Sequence, residues 1–545
     1  MNPPAATGHP PPGDIPKPTR APLWAQATPQ TRLGLAFALL IGLGLFLRIW
    51  QYAFNRSLWL DEAYLATSIV SRTMGDLLTH PLANDQVAPL GFLWLVKISV
   101  LLWDDSDLAL RLVPLLSGCL SVLVAWRIAL LTLNHSVARL LFVGLVSSSP
   151  VLVYYSSELK QYSGDVLVAM LILWAGAAFR AERWRSGTAV LALTGALGVW
   201  LSHPAVFVLA AVGVTLWLDM AASKQHRAWA AISVVGLIWL ASFALNYGVS
   251  LRALSSKSSL QDFWSYAYAP VPRGLEDLVW YWENALALVH LALRHVGVAG
   301  HLGLPDWFEP VNVALLCLTL AGVVALLRSP PRLAGFLVLS VLSVLLASLL
   351  HLYPFRSRLI LFLVPVVLLT LSVLVDQALQ RGHRSWTWGA IGVAVGLMAV
   401  TGSHSLPKVW QPYNHSNIKG AMAYVQGHLQ ASDQIAVSTW TGKAFSVYAP
   451  AYGLDGVVLR LYLDTPNVQH NAYALVRRIC SGRVPGRTWI IISHRFGQKQ
   501  DFLALLSSLS PALPAWEDAG AGAYLFDFSG SAYCKRYTAS APVGP

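Results

Sequence analysis

The chain has 545 residues, of which 55% are apolar and only 12% charged, with a mean hydropathy of +0.54. So few ionisable groups cannot cover a water-facing surface, which excludes an ordinary soluble multidomain protein, and the apolar bias excludes a disordered chain. The net charge of +12 would raise nucleic-acid binding in a soluble protein, but in a bilayer protein it belongs to Lys and Arg held in loops, so no nucleic-acid partner is expected.

In chain order, residues 1–30 are rich in Pro and Ala, with Lys17 and Arg20 inside and Arg32 just beyond. They read as a disordered cytoplasmic tail. The apolar run from Leu33 to Trp50 is long enough to span a bilayer and no small-residue cleavage site follows it, so it reads as an uncleaved first helix. Further spans are expected near 110–131, 138–155, 165–180, 188–206, 205–220, 229–248, 308–327, 333–352, 358–377 and 386–403, with a break at His203-Pro204. This makes residues 31–403 a transmembrane module of about eleven or more helices.

Five loops carry the basic residues: Arg127 and Arg139; Arg180, Arg183 and Arg185; Lys224 and Arg227; Arg328 and Arg332; Arg381 and Arg384. With eleven spans all five share the side of the N-terminal tail, which the positive-inside rule makes cytoplasmic. Residues 404–545 then lie on the opposite side. That side also receives loop 51–109, with helical stretches at Asp61–Thr79 and Leu90–Trp103 that read as amphipathic helices on the membrane surface, and loop 249–307.

The C-terminal 404–545 region alternates helix signals (Ile418–Leu429, Val468–Cys480, Asp501–Ser508) with strand signals (Gln434–Thr439, Thr488–Ser493, Ala523–Phe528), as a small extracytoplasmic α/β domain would. Cys119 and Cys317 sit in apolar runs as packing residues. Cys480 and Cys534 lie in the polar region, near element ends, and are expected to pair in an oxidising compartment.

Three polar clusters sit at span ends assigned to that same outer face. The first is Asp61-Glu62, between Trp59 and Tyr64: adjacent carboxylates at an aromatic interface suit a general base facing a cavity, and equally suit a helix N-terminus. The second is Glu158, Lys160 and Tyr162, with Asp165 soon after: a cation and two carboxylates within two turns suit a phosphate or a sugar, or an ion-paired cap. The third is His351, Tyr353, Arg356 and Arg358. Arginines on the outer side run against the usual loop bias, so they call for a bidentate phosphate partner or snorkel to the headgroups. His80, Asp85 and Gln86 in the first loop either extend the site over its mouth or form a polar turn. No Walker loop, His-Glu-x-x-His or Gly-rich dinucleotide fingerprint is present.

The order and sidedness of these clusters resemble the GT-C class of membrane glycosyltransferases, especially bacterial relatives of protein O-mannosyltransferases (family 39) and of the aminoarabinose transferases acting on lipid A. Trp59-Leu60-Asp61-Glu62-Ala63-Tyr64 is similar to the class's Asp-Glu motif at the start of the first exterior loop. Ser149-Pro150 through Tyr162 is similar to its "P…YS-x-E-x-(R/K)-x-Y" segment, and His351–Pro365 to its "YP-x-x-R" stretch. The resemblance covers about the first 400 residues. It implies a GT-C-like fold in a bacterial cytoplasmic (inner) membrane and a polyprenyl-phosphate sugar donor whose tail lies among membrane lipids. The acceptor would be an extracytoplasmic protein, lipid or glycan.

In that reading Asp61 is the catalytic base and Glu62 its neighbour in substrate or metal binding. Glu158, Lys160 and Tyr162 line the donor pocket, and Arg356 with Arg358 meets the donor phosphate; transfer inverts the anomeric carbon. Aminoarabinose transferases place a Glu before a Pro-Pro pair in this first loop, near a metal. Here the stretch is Asp85-Gln86-Val87-Ala88-Pro89, which leaves a divalent metal, with Asp61 and Asp85 as its ligands, an open alternative. A transporter or flippase of lipid-linked sugars is the rival function; it would place its charges near mid-membrane instead of at helix ends.

Overall fold

The computed structural model describes residues 28–251, 262–294, 310–455, 458–461, 468–481, 486–493 and 499–540. The expected N-terminal tail lies almost wholly outside the described residues, as does part of loop 249–307. Each apolar run becomes helix, but not every run becomes a full-length span. Among the described residues seven helices are long and apolar enough to cross a membrane: Gln30–Ala53, Asp107–Thr132, Ala205–Ala222, His226–Ser250, Pro331–Leu349, Ser357–Gln380 and Arg384–Val409. An eighth span arises if the bent pair Tyr162–Ala178 and Ala181–Leu201, whose axes meet at 101°, is taken as one.

The expectation of eleven or more spans is met in part: each expected run is helical, but several fall short of spanning length, for local reasons. The run 138–155 is cut by Ser149-Pro150, because proline cannot continue the helix before it, giving Ser136–Ser148 and Pro150–Tyr155. Pro310–Leu326 is a short apolar helix of 17 residues. The first long loop folds into α-helices Leu60–Ser71, Met74–Thr79 and Leu90–Leu102. The last buries Phe92, Leu93 and Val96 while exposing Leu95, Ile98 and Leu101, so it is apolar on both sides instead of amphipathic. Lys97 from this helix donates to the carbonyls of Ile69 (2.9 Å) and Val70 (3.0 Å), capping the C-terminus of Leu60–Ser71.

The bundle has two distinct polar ends. At one, the Asp376 carboxylate accepts from the backbone N–H groups of Asn134 (3.0 Å) and His135 (2.7 Å). Arg332 there pairs with Asp219 and donates to the carbonyl of Phe179 at 3.1 Å. Arg358 stands at the other end of the helical stretch that carries Asp376. Eighteen residues separate them, about 27 Å of helix at 1.5 Å per residue, close to the thickness of a hydrocarbon core.

Beyond the last apolar helix the chain forms a five-stranded mixed sheet in the order β2-β1-β3-β5-β4. Its strands are β1 (Gln434–Ser438), β2 (Val458–Leu461), β3 (Arg487–Ser493), β4 (Ala512–Asp518) and β5 (Ala521–Asp527). β1 runs parallel to β2 and β3, and β5 antiparallel to β3 and β4. Alternate residues serve two cores, as the period-two geometry of strands requires. Ile435, Val437, Trp489 and Ile491 pack with Leu58, Leu65 and Phe92 of the first long loop. Ala436, Ile490 and Ile492 pack under Leu475, Ile479 and Phe502. One face of the sheet is therefore the roof of the first loop. The edge strand β4 escaped the sequence reading because Pro514 removes a ladder donor there, and its register shifts between Ala512 and Ala515.

A disulfide joins Cys480 to Cys534, with Cα atoms 5.0 Å apart and a sequence separation of 54. For a loop of this length the chain-entropy account assigns about 4 kcal/mol. Reduction is expected to lower the thermal unfolding midpoint of this region, and equal midpoints for reduced and oxidised protein would show that the bond contributes nothing.

Candidate active site

The site grows from the N-terminus of helix Leu60–Ser71. The Glu62 carboxylate turns back to accept from the backbone N–H of Trp59 at 3.3 Å, closing the first turn. The same carboxylate is fully buried and takes a fork from Arg111, with Nε to Oε1 and Nη2 to Oε2 both 2.8 Å. It also accepts from the backbone N–H of Leu159 at 2.7 Å. Arg111 in turn donates to the carbonyls of Arg56 (2.6 Å) and Ser57 (3.2 Å). Glu62 thus ties three segments together and has no lone pair left for a ligand. Burial by itself would raise its pKa; Arg111, then Arg56, and the hydrogen bonds from Arg111 and Leu159 outweigh that and hold it below the usual carboxylate value. Glu62, expected beside Asp61 in catalysis or in substrate or metal binding, has its acceptor positions taken by Trp59, Arg111 and Leu159.

Neighbouring residues on a helix point about 100° apart, so Asp61 turns the other way. Its carboxylate is paired with Arg358, Nη2 to Oδ2 2.7 Å, and both side chains keep 17% of their surface exposed. The Arg358 guanidinium carbon lies 5.7 Å from the ring centroid of Trp59 and 5.8 Å from that of Tyr162, within cation–π range of both. Lys160 reaches from the turn before Tyr162 and donates to Oε1 of Gln86 at 2.5 Å. Burial holds the Lys160 pKa below the ordinary lysine value; the charge of Asp61 opposes this and that of Arg358 adds to it, which places all three charges in one field.

Glu158 sits deeper, 1% exposed, with Arg56 Nη2 at 3.6 Å. Burial, then the charge of Glu62, raises its pKa, and Arg56 opposes them. Arg56 also rests on the Tyr154 ring at 4.4 Å. This second layer packs tightly against the first: a Cβ on Gly118 would stand 2.5 Å from Cβ of Ser156, so only glycine lets the helix Asp107–Thr132 approach the Glu158 turn. Asp165 is buried one turn further in, beside Ser202, and lines the wall below Tyr162.

Several sequence candidates stand elsewhere. Arg356 donates to Oδ1 of Asn284 at 3.3 Å and lies 6.0 Å from the Tyr266 ring, on the wall built by helix Leu275–Leu293. His351 is exposed, its ring tilted 43° against that of Tyr268 with centroids 4.9 Å apart. Tyr353 spends its hydroxyl on the carbonyl of Leu359 at 2.8 Å, bracing the turn that holds Arg358. His80 is exposed and bonds Thr79 at 2.9 Å, and Asp85 is exposed at the loop tip. Of the first-loop candidates, Gln86 alone has a described bond to the second cluster, the one from Lys160.

Among the described residues no group of three or more His, Cys, Asp or Glu side chains is placed to hold a metal ion. Asp61 is paired with Arg358 and Glu62 with Arg111.

Sequence reasoning passed over Arg111 and Arg56, the partners of the buried acids. A signal was present for Arg111: a guanidinium inside an apolar run needs a paired carboxylate. It also passed over the docking of the C-terminal region. The Tyr448 hydroxyl donates to Asp107 (2.6 Å) and accepts from the backbone N–H of Leu58 (2.8 Å), and Lys419 pairs with Asp107 at 2.6 Å.

In overall chain path the structure is similar to solved structures of two kinds. One is ArnT from Cupriavidus metallidurans bound to undecaprenyl phosphate, at 12% identity and TM-score 0.47, covering 91% of this chain and 98% of that one. Another is the archaeal oligosaccharyltransferase AglB from Archaeoglobus fulgidus in complex with an inhibitory peptide and a dolichol-phosphate, at 11% identity and TM-score 0.46, covering 91% of this chain and 74% of that one. No family model matches the sequence, and no curated protein matches it.

Proposed function

We propose that this protein is an integral membrane glycosyltransferase that moves a sugar from a polyprenyl-phosphate donor to an acceptor on the outer face of the cytoplasmic membrane. The convergence of Asp61, Arg358 and Lys160, drawn from segments about 100 and 200 residues apart, into one partly open cluster at a membrane-facing helix end carries the reading. A carboxylate, a guanidinium and a lysine are the groups a phosphate-leaving sugar transfer needs. The basic loops at the opposite end of the bundle support a cytoplasmic placement for that end.

The step is a displacement. The donor phosphate engages Arg358 and Lys160, drawing Arg358 from its ion pair and freeing Asp61. Asp61 accepts the proton of the acceptor hydroxyl as its oxygen attacks the anomeric carbon from the face opposite the phosphate. The bond from that carbon to the phosphate oxygen breaks with its electron pair, and polyprenyl phosphate leaves with its charge met by the two cations. The configuration inverts. No step is routed through a metal.

Purified protein in proteoliposomes, given a labelled polyprenyl-phosphate sugar and an acceptor, is expected to release one free lipid phosphate per sugar transferred. Passage of intact labelled lipid across the bilayer without cleavage would establish a flippase instead.

The Lys160 cation gives this reading a pH signature. Because burial lowers its pKa, the neutral form appears below the ordinary lysine value of about 10.4, and donor KM is expected to climb with pH before that point. Lys160→Arg keeps its charge throughout and should move this alkaline limb upward. An unmoved limb would remove Lys160 from the donor site.

A further inference from the structure

The end of the bundle remote from Asp61 holds a feature that sugar transfer does not use. The apolar helices Tyr162–Ala178 and Trp184–Leu201 meet at a corner, and its crook forms a half-open cavity of about 530 Å³ lined by Trp174, Phe179, Arg183 and Val190. Across Arg183 and Ser186 it adjoins an open cleft of about 1010 Å³, walled on its far side by Arg227, Ala230 and Val234 of helix His226–Asn246.

The arginines here divide into two kinds. Arg180 donates to the carbonyls of Ala177 (2.7 Å) and Phe179 (3.0 Å), capping a helix end, and Arg332 pairs with Asp219. Arg183, Arg185 and Arg227 are exposed at the cleft mouth, and among the described residues none of them is ion-paired. Arg185 lies 5.4 Å from the ring of Trp184, the first residue of the apolar helix Trp184–Leu201. Glu182 is the acid at the mouth. Below it, the outward faces of both helices are apolar, with Leu193 63% and Leu237 65% exposed.

We infer that this cleft is a binding site for an anionic phospholipid, whose phosphodiester headgroup is held by Arg183, Arg185 and Arg227 and whose acyl chains descend between helices Trp184–Leu201 and His226–Asn246. Charge complementarity selects the anionic headgroup, and the continuous apolar wall below selects a lipid over a free phosphate. By the loop-charge reading this is the cytoplasmic leaflet. The inference depends on the membrane placement and not on the chemistry at Asp61, so either stands if the other falls.

The test uses the full chain in phosphatidylcholine nanodiscs doped with phosphatidylglycerol, with retained lipid counted by native mass spectrometry. Affinity is expected to fall about fivefold per guanidinium removed, about 1 kcal/mol each. The Arg183→Gln/Arg185→Gln/Arg227→Gln variant should therefore lose about a hundredfold. Arg328→Gln, which removes an exposed charge from another basic loop, should retain the lipid like wild type. Equal losses in both would show a diffuse surface charge and overturn the site. Glu182→Gln, a single exposed change, should raise retention; no rise would count against the site even if the triple variant misfolds. Inorganic phosphate at 10 mM should leave the lipid bound, and displacement by it would assign the cleft to free phosphate and overturn the lipid.

Discussion

Asp61→Asn is expected to lower the rate of sugar transfer by about 10²–10⁴-fold, the usual contribution of a general base. The substitution keeps the shape of the side chain and removes its capacity to take the acceptor proton. It also releases Arg358 from its 2.7 Å ion pair, so the guanidinium becomes more available to the donor phosphate. The loss should therefore fall on kcat while the donor KM stays level or drops, the pattern of a group that acts in the transition state. Steady-state transfer in proteoliposomes measures both. Wild-type kcat in this variant would dismiss Asp61 as the base, and a raised donor KM at unchanged kcat would make it a binding residue.

The second large effect falls on stability. Glu62→Gln leaves Arg111, 1% exposed, as a buried charge without its carboxylate, and loss of one partner of such a pair costs about 3–5 kcal/mol. Unfolding in detergent, followed by denaturant or heat, should show it. Removing both charges in Glu62→Gln/Arg111→Met should recover part of the loss, because the desolvation penalty disappears with the guanidinium. A single variant as stable as wild type would contradict the locking role. The same pair sets an acid limit. The folded-state pKa of Glu62 is depressed, so its contribution is present above the unfolded value of about 4.3 and is lost as pH falls through the folded one.

The contrast between these two adjacent acids marks what the sequence could convey. The motif located the helix start, and the chain order of Asp61, Lys160 and Arg358 pointed to one cluster. Which carboxylate stays partly exposed was invisible, because the answer depends on Arg111 arriving from another helix to claim Glu62. Arg356 and Arg358 likewise look equivalent as text. Arg356 is still in extended backbone, and the tight turn begins at Ser357, so the two side chains leave on different walls. Apolar runs declared the helices, but periodicity carries no information on how a hairpin splays, and the 101° corner went unforeseen. In the C-terminal region the alternating runs announced strands, while the docking through Tyr448, Lys419 and Asp107 rests on partners more than 300 residues apart.

Locating polyprenyl phosphate bound to the purified protein, by electron cryomicroscopy in nanodiscs, tests the central claim most directly. The phosphate is expected between Arg358 and Lys160, within hydrogen-bond distance of both, with Arg358 drawn off Asp61 and the tail running outward between helix ends. A phosphate bound at Arg356 and Asn284, with the Asp61–Arg358 pair still closed, would contradict the account.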